Sequence, residues 1–213
     1  METEHIYVNG EEESIEEAIR TTEEYAYKLE FPEKEALRLR LLSEELLGLL
    51  SGITSDDYTA MFWVSGDASK TYLHLVGNVK MTAKRREELL ASSKSGKNEA
   101  AKGIVGKLRD MIAMSVLTMD EAASVGSADT VMDFYSAGME TFAVNPGMIN
   151  WTLTGYRSYI EGQYIDLDKT DEFDSKKEPW DELERSIIAN LADDVHVSIK
   201  KDDVEIVVER SMR

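Results

Sequence analysis

Residues 38–50 read R-L-R-L-L-S-E-E-L-L-G-L-L, and this stretch decides which fold we expect for the chain. Its leucines recur at spacings of three and four, which is typical of a helix that buries one face in a core. Pro32 stands where the first residue of such a helix is favoured, so we predict a helix over 34–50. The leucines on the stripe are Leu39, Leu42, Leu46, Leu49 and Leu50, and the charged residues off it are Arg38, Arg40, Glu44 and Glu45.

A short strand and a first helix are predicted before this long helix. Residues 6–8 have strand character and are followed by an Asn-Gly turn signal. Ser14 and Glu17 have the spacing of a capping box, in which the Ser oxygen accepts a free backbone amide and the Glu reaches back. We therefore predict a helix over 14–29, which ends before the proline that opens the long helix.

Two pairs of alternating segments predict two β-hairpins. Residues 61–64 and 72–76 flank the turn S-G-D-A-S-K, and residues 195–199 and 204–208 flank K-K-D-D. Alternation of apolar and polar residues is typical of strands that bury one face. Between the hairpins the sequence predicts helices over 82–91, 103–116 and 180–191.

Residues 117–179 hold short apolar pieces between turn signals and end in an acidic stretch. We interpret this segment as an inserted α/β segment. Together the elements predict an α+β fold, a two-layer α/β sandwich with a mixed, mostly antiparallel sheet and helices on one face. We expect residues 1–213 to form a single domain with this insertion.

The composition limits the classes of function. Forty-two acidic residues against 24 basic ones give a formal net charge of −18, which repels phosphate backbones and anionic lipid. The chain has no Cys, which excludes disulfides, thiolate metal sites and a Cys nucleophile. No apolar run approaches the ~18 residues of a membrane span, and the first residues lack the features of a secretory signal. We expect a cytoplasmic protein whose partners are neither nucleic acid nor membrane.

Common metal and phosphate motifs are not found in the sequence. Neither Gly-Lys pair has the Gly before it and the Ser or Thr after it that a Walker loop requires. An acidic segment opens like a calcium loop, but Asp171 stands at the required Gly and Lys177 at the closing Glu. His5, His74 and His196 fall in three different predicted strands without metal-ligand spacing. We therefore predict no metal site.

Two features remain as candidate chemistry. Glu45 lies on the polar edge of the long helix and can act as a general base, the alternative being a surface carboxylate beside Arg38 or Arg40. Residues 96–106 are rich in Gly and Lys and lead into a helix start that favours anions, the alternative being a flexible surface loop. The candidate anion-binding residues in this loop are Gly96, Lys97, Lys102, Gly103 and Gly106.

The order of elements and the motif at 38–50 together resemble the histidine-kinase-like ATPase fold, most closely its anti-sigma-factor and serine-kinase branch. In that branch the long helix reads like L-x-L-A-x-E-E-A-x-x-N, and this chain follows the pattern up to its last position. The resemblance covers about residues 5–116 and 180–210 and leaves 117–179 as the insertion.

The resemblance implies roles for several residues. Glu45 matches the general base that activates water or a protein hydroxyl, and Leu49 stands where the family has the Asn that coordinates magnesium. An aliphatic side chain cannot hold a cation that requires oxygen ligands. Asn78 stands near the position of the adenine-reading Asp, and residues 102–107, K-G-I-V-G-K, resemble the phosphate box with one Gly fewer. The resemblance therefore implies ATP as a ligand, while Leu49 makes magnesium binding unexpected.

From these departures we expect a regulatory protein of bacterial signalling type that binds a protein partner, such as a regulator or a sigma-like factor, with ATP binding weakened or lost. Two alternatives remain open. One is an active ATP-dependent serine/threonine protein kinase whose magnesium ligand comes from elsewhere, for instance the insertion. The other is a module that binds a small anionic ligand at the Lys-rich loop. The sequence also leaves open whether the chain forms a homodimer.

Overall fold

Six strands form one antiparallel sheet in the computed structural model, which describes residues 1–51, 59–79, 104–115, 137–138, 148–167, 186–200 and 202–212. The order across the sheet is β1-β2-β3-β6-β5-β4. Both sequence-adjacent hairpins, β2 with β3 and β5 with β6, lie side by side at the centre because β3 pairs with β6. The strands are β1 (Ile6–Val8), β2 (Thr59–Gly66), β3 (Lys70–Asn78), β4 (Met148–Thr152), β5 (Asp194–Lys200) and β6 (Asp203–Ser211).

The described helices pack on one face of this sheet. Helix α2 contacts α1, α3 and α5 as well as β3, and α4 contacts the edge strand β4 and its neighbour β5. Their apolar residues join the inward-facing residues of the strands in one core. The helices are α1 (Glu12–Lys28), α2 (Glu33–Ser51), α3 (Ile104–Ser115), α4 (Leu153–Leu167) and α5 (Ile187–Leu191).

The strands bury alternate residues, which gives the sheet an inner and an outer face. Phe62, Leu73 and Ile206 are fully buried on the inner face, whereas Trp63 and His74 between them are only half-buried on the outer face. This alternation is the physical basis of the two-layer arrangement of the described elements, because the helices cover the face that carries the fully buried residues. The predicted α+β class is confirmed, and every strand pairing in the described residues is antiparallel rather than mixed.

Most predicted elements agree with the structure to within one to three residues at each end. The helices predicted over 34–50 and 103–116 correspond to α2 and α3, and the two predicted hairpins lie in one sheet. The helix predicted over 82–91 lies outside the described residues, as does most of 117–179. The described part of that segment supplies β4 at the sheet edge and α4 in the core.

The predicted capping box at the start of α1 is wrong. The helix begins at Glu12, so Ser14 lies inside its first turn and donates a hydrogen bond to the Glu11 carbonyl at 2.8 Å. Asn9 organises the turn instead, because its side-chain oxygen accepts from the Glu11 amide at 3.1 Å and from the Ser14 hydroxyl at 2.8 Å. A side-chain oxygen that accepts a backbone amide two residues on is the usual role of Asn in turns.

Within the described ranges, no helix combines the length and the apolar character that crossing a bilayer would require.

Candidate functional site

The residues of the predicted nucleotide site lie on three elements that share one part of the core. Helix α2 contacts both β3 and α3. Leu49 near the end of α2, Val79 just after β3 and Ile104 at the start of α3 are each at most 1% exposed in the common core. Of the residues of the predicted site, the structure describes Glu45 on α2, Asn78 on β3 and Gly106 on α3.

Leu49 is fully buried, with 0% of its surface exposed. The expectation that its side chain points into the core is confirmed. Burial of a Leu side chain contributes about 1.5–3 kcal/mol to folding, so this position serves packing. Its hydrocarbon has no oxygen to offer a magnesium ion, which takes oxygen ligands in near-octahedral geometry.

Glu45 is half-buried on α2, one turn before Leu49. Arg38 and Arg40, the two arginines near it in the sequence, both contact carboxylates. The Arg40 guanidinium donates from Nε to Glu44 Oε1 at 2.9 Å and from Nη1 to Glu23 Oε1 at 2.6 Å. Arg38 donates to Glu35. Glu45 is therefore placed at the half-buried edge of α2, and its role as a general base stays a prediction.

Asn78 ends β3 opposite Asp203 of β6. Its side-chain amide donates from Nδ2 to Asp203 Oδ1 at 2.8 Å, so this donor is already used. Its Oδ1 is buried and has no hydrogen-bond partner among the described residues. An adenine amino group is a hydrogen-bond donor, so this oxygen is the atom of Asn78 that has the chemistry to read it.

Of the candidate anion-binding residues in the Lys-rich loop, the structure describes Gly106 only. Gly106 is buried in the first turn of α3, so it belongs to the helix rather than to the loop that precedes it. Gly96, Lys97, Lys102 and Gly103 lie outside the described residues. Their role as anion-binding residues stays a prediction.

The outer face of the sheet carries a stack of three aromatic rings that the sequence analysis missed. The Trp63 indole lies between two imidazoles, with ring centroids 4.4 Å from His5 and 4.6 Å from His74. The planes differ by 13° and 2° respectively, so the three rings are nearly parallel. Alternation along β2 and β3 places Trp63 and His74 outward, but only the strand register puts them opposite each other.

Hydrogen bonds hold both imidazoles in place. His74 Nε2 lies 2.8 Å from Ser65 Oγ, and His5 Nε2 lies 3.2 Å from Glu2 Oε1. Partial burial lowers the pKa of His74 below its ordinary value of 6.5, while Glu205 and Glu2 oppose this shift and His5 reinforces it. The two imidazoles flank opposite faces of the indole, so they cannot ligate one metal ion. The described residues contain no group of three His, Asp or Glu side chains arranged for a metal.

A buried ion cluster lies between the start of α2 and the end of β6. Glu35 is 3% exposed and accepts from both Arg38 and Arg210. Burial alone would raise the pKa of Glu35, but the hydrogen bonds and charges of Arg210 and Arg38 outweigh it and hold that pKa below its ordinary value. Arg210 also donates to the Leu191 carbonyl at the end of α5. This cluster fixes three elements to one another and has no substrate-facing group, so we assign it to stability.

Comparison with known proteins finds no match to the chain among protein families, curated proteins or solved structures.

Proposed function

We propose that this chain is a regulatory protein with the fold of the anti-sigma and serine-kinase ATPases, and that it acts by contact with a protein partner. Nucleotide binding is weakened or absent in this proposal. The order of the described elements supports it, because a strand, two helices, a hairpin and a helix come first and a hairpin comes last, as in that branch, with β4, α4 and α5 between the third helix and the final hairpin. Fold alone does not fix function, so the argument depends on individual residues.

The burial of Leu49 is the observation that carries the proposal. Phosphoryl transfer depends on magnesium to neutralise the developing charge on the phosphates. Leu49 occupies the ligand position of the resembled family with a side chain that is fully buried among apolar neighbours. A kinase with this helix would need a magnesium ligand from another element, whereas a contact protein needs none.

A limited form of nucleotide binding is a second candidate function, and the side chain of Asn78 is the feature that favours it. Its buried, unpartnered Oδ1 can accept one hydrogen bond from an adenine amino group. Asp203 accepts a hydrogen bond from Nδ2 of Asn78, so the side-chain amide is fixed in orientation. Any adenine contact made in this way is independent of magnesium.

Thermal unfolding with and without nucleotide tests the proposal. A ligand that binds only the folded state stabilises it by mass action, by about 2.7 kcal/mol at one hundred times its Kd. We expect ATP with magnesium to raise the Tm no more than ATP with a chelator does. A Tm that rises only when magnesium accompanies ATP would contradict the proposal and favour the active kinase.

The variant Asn78→Ala separates the second candidate from the first. If ATP with a chelator raises the Tm of the wild-type chain, Asn78→Ala should remove that rise. Glu24→Ala on the exposed side of α1 serves as a matched surface control and should keep it. A rise that survives in Asn78→Ala would show that adenine is read elsewhere.

A further inference from the structure

The centre of the outer sheet face is aromatic and apolar. The strand register places Trp63, His74 and Val207 in one row across β2, β3 and β6, and His5, the residue before β1, stacks on Trp63 at the end of this row. Met61 and Val76 lie opposite each other in the adjacent row. Trp63, Met61, Val76 and Val207 are half-buried, and the described helices pack on the other face. A contiguous apolar patch of this kind on a sheet face is typical of an interaction site.

Carboxylates flank this patch on both sides. Glu205 continues the row of Met61 and Val76 on β6 and is exposed. Glu209 lies opposite Tyr72 on the other side of the aromatic row, and Glu2 lies opposite Ser65 in that same flanking row. Lys70 forms an ion pair with Glu209.

The charges on the whole face favour a basic partner. The outward-facing charged residues on the described part of this face are Glu2, Asp194, Asp203, Glu205, Glu209, Lys70 and Lys200. Acidic residues outnumber basic ones there, in keeping with the net charge of −18 for the chain. Such a face attracts cationic segments and repels anionic ones before any contact forms.

We propose that this face docks an amphipathic helix of a protein partner, with basic side chains along both flanks of the helix. The inference rests on the proposed partner-binding function and adds the chemistry of the partner. A helix is the element that covers an open sheet face in layered folds. Its apolar stripe would lie along the row of Trp63 and Val207, and its Lys or Arg side chains would reach Glu205 on one flank and Glu2 on the other.

The ring stack restricts where the partner's cations can lie. Both faces of the Trp63 indole are occupied by imidazoles, so a cation cannot stack on that ring. The carboxylates on the flanks are the remaining attractive groups for the partner's charges. Loss of a flanking carboxylate should therefore weaken binding more than the loss of a carboxylate elsewhere on the surface.

Binding of a designed helical peptide tests this inference. The probe is an 18-residue peptide in which Leu forms one helical face and Lys the other, and the matched control peptide has Glu at every Lys position. We expect the Lys peptide to bind the full chain, to shift the NMR signals of the Trp63 indole and the His74 ring, and to leave the Trp151 indole signal unchanged. The Glu peptide should not bind.

Matched charge reversals separate docking at this face from general attraction to an acidic protein. Glu205→Lys should weaken the Lys peptide at least tenfold, which corresponds to about 1.4 kcal/mol. Glu16→Lys on the exposed side of α1 makes the same change in net charge and should weaken it less than twofold. Equal losses in the two variants, absence of binding, or binding without a shift at Trp63 would each overturn the inference. The nucleotide melting experiment is independent of these results, so the proposed function can fail or stand by itself.

Discussion

Arg210 and Glu35 form an ion pair across 175 positions of the chain, with 2.9 Å between Arg210 Nη2 and Glu35 Oε2. The pair joins the start of α2 to the end of the last strand. Arg38 donates to the other carboxylate oxygen, so both oxygens of Glu35 are satisfied by guanidinium groups. A buried carboxylate is tolerated only when it is paired in this way.

We expect Glu35→Gln to destabilise the protein by about 3–5 kcal/mol, because it removes the buried carboxylate charge that pairs with the partly buried Arg210. Urea unfolding measures this loss. Glu33→Gln, two residues earlier and exposed, should change stability by less than about 0.5 kcal/mol.

The same carboxylate predicts a sensitivity to acid. Its pKa is lowered in the folded state, so it contributes stability above its ordinary value of 4.5 that is lost as pH falls through that value and below it. Glu35→Gln should show a weaker dependence of stability on pH in this window. An unchanged dependence would show that Glu35 is not charged in the folded protein.

Leu49→Ala should cost about 2–5 kcal/mol, because it removes a fully buried side chain from the core and leaves a cavity. The control makes the same substitution on the same helix at Leu37, which is 54% exposed, and should cost less than about 0.5 kcal/mol. Denaturant unfolding of both variants distinguishes packing from helix propensity. A small effect at Leu49 would mean that this side chain does not fill the core.

Gly138→Ala should destabilise the protein, because an added Cβ would lie 1.9 Å from Nε1 of Trp151. Trp151 is fully buried and cannot move aside, and overpacking of this kind costs about 1–3 kcal/mol. Gly162 on α4 has nothing within 4 Å of an added Cβ. Gly162→Ala should therefore stabilise the helix by about 0.5–1 kcal/mol, so the two Gly-to-Ala changes should shift the Tm in opposite directions.

His74 should make stability depend on pH in the range where histidine titrates. Its pKa is lowered in the folded state, so the unfolded chain takes up the proton first as pH falls below the ordinary value of 6.5. Stability should therefore fall with pH in this window, and His74→Gln should remove that part of the decrease. His196→Gln, whose side chain is 45% exposed, is the control and should leave the dependence in place.

The fold was predictable where hydrophobic periodicity is regular. The leucine spacing of α2 and the strict alternation in both hairpins each fix which face is buried, so these elements agree with the sequence prediction. In the stretch W-T-L-T-G-Y, residues 151–156, no such pattern indicates where the strand ends and the helix begins. The chain changes from strand to helix between Thr152 and Leu153 without a Gly or Pro at the boundary.

The contacts of the candidate sites were less predictable, because they depend on pairing between distant segments. No local pattern brings Arg210 to Glu35, and the stacking of His74 on Trp63 needs the register of β2 against β3. Ser14 shows the opposite error. Its local motif predicted a helix cap, but Asn9 supplies the side-chain oxygen that accepts the backbone amide at this turn. The burial of Leu49 was predictable, because it lies on the leucine stripe of its own helix.

The most direct test of the account is a calorimetric titration of ATP into the full chain, performed once with magnesium and once with a chelator. It measures whether ATP binding depends on magnesium. With Leu49 in the core, we expect the two titrations to give the same affinity within a factor of ten, or no binding in either. Affinity at least tenfold higher with magnesium, about 1.4 kcal/mol, would contradict this expectation and show that another residue supplies the ligand.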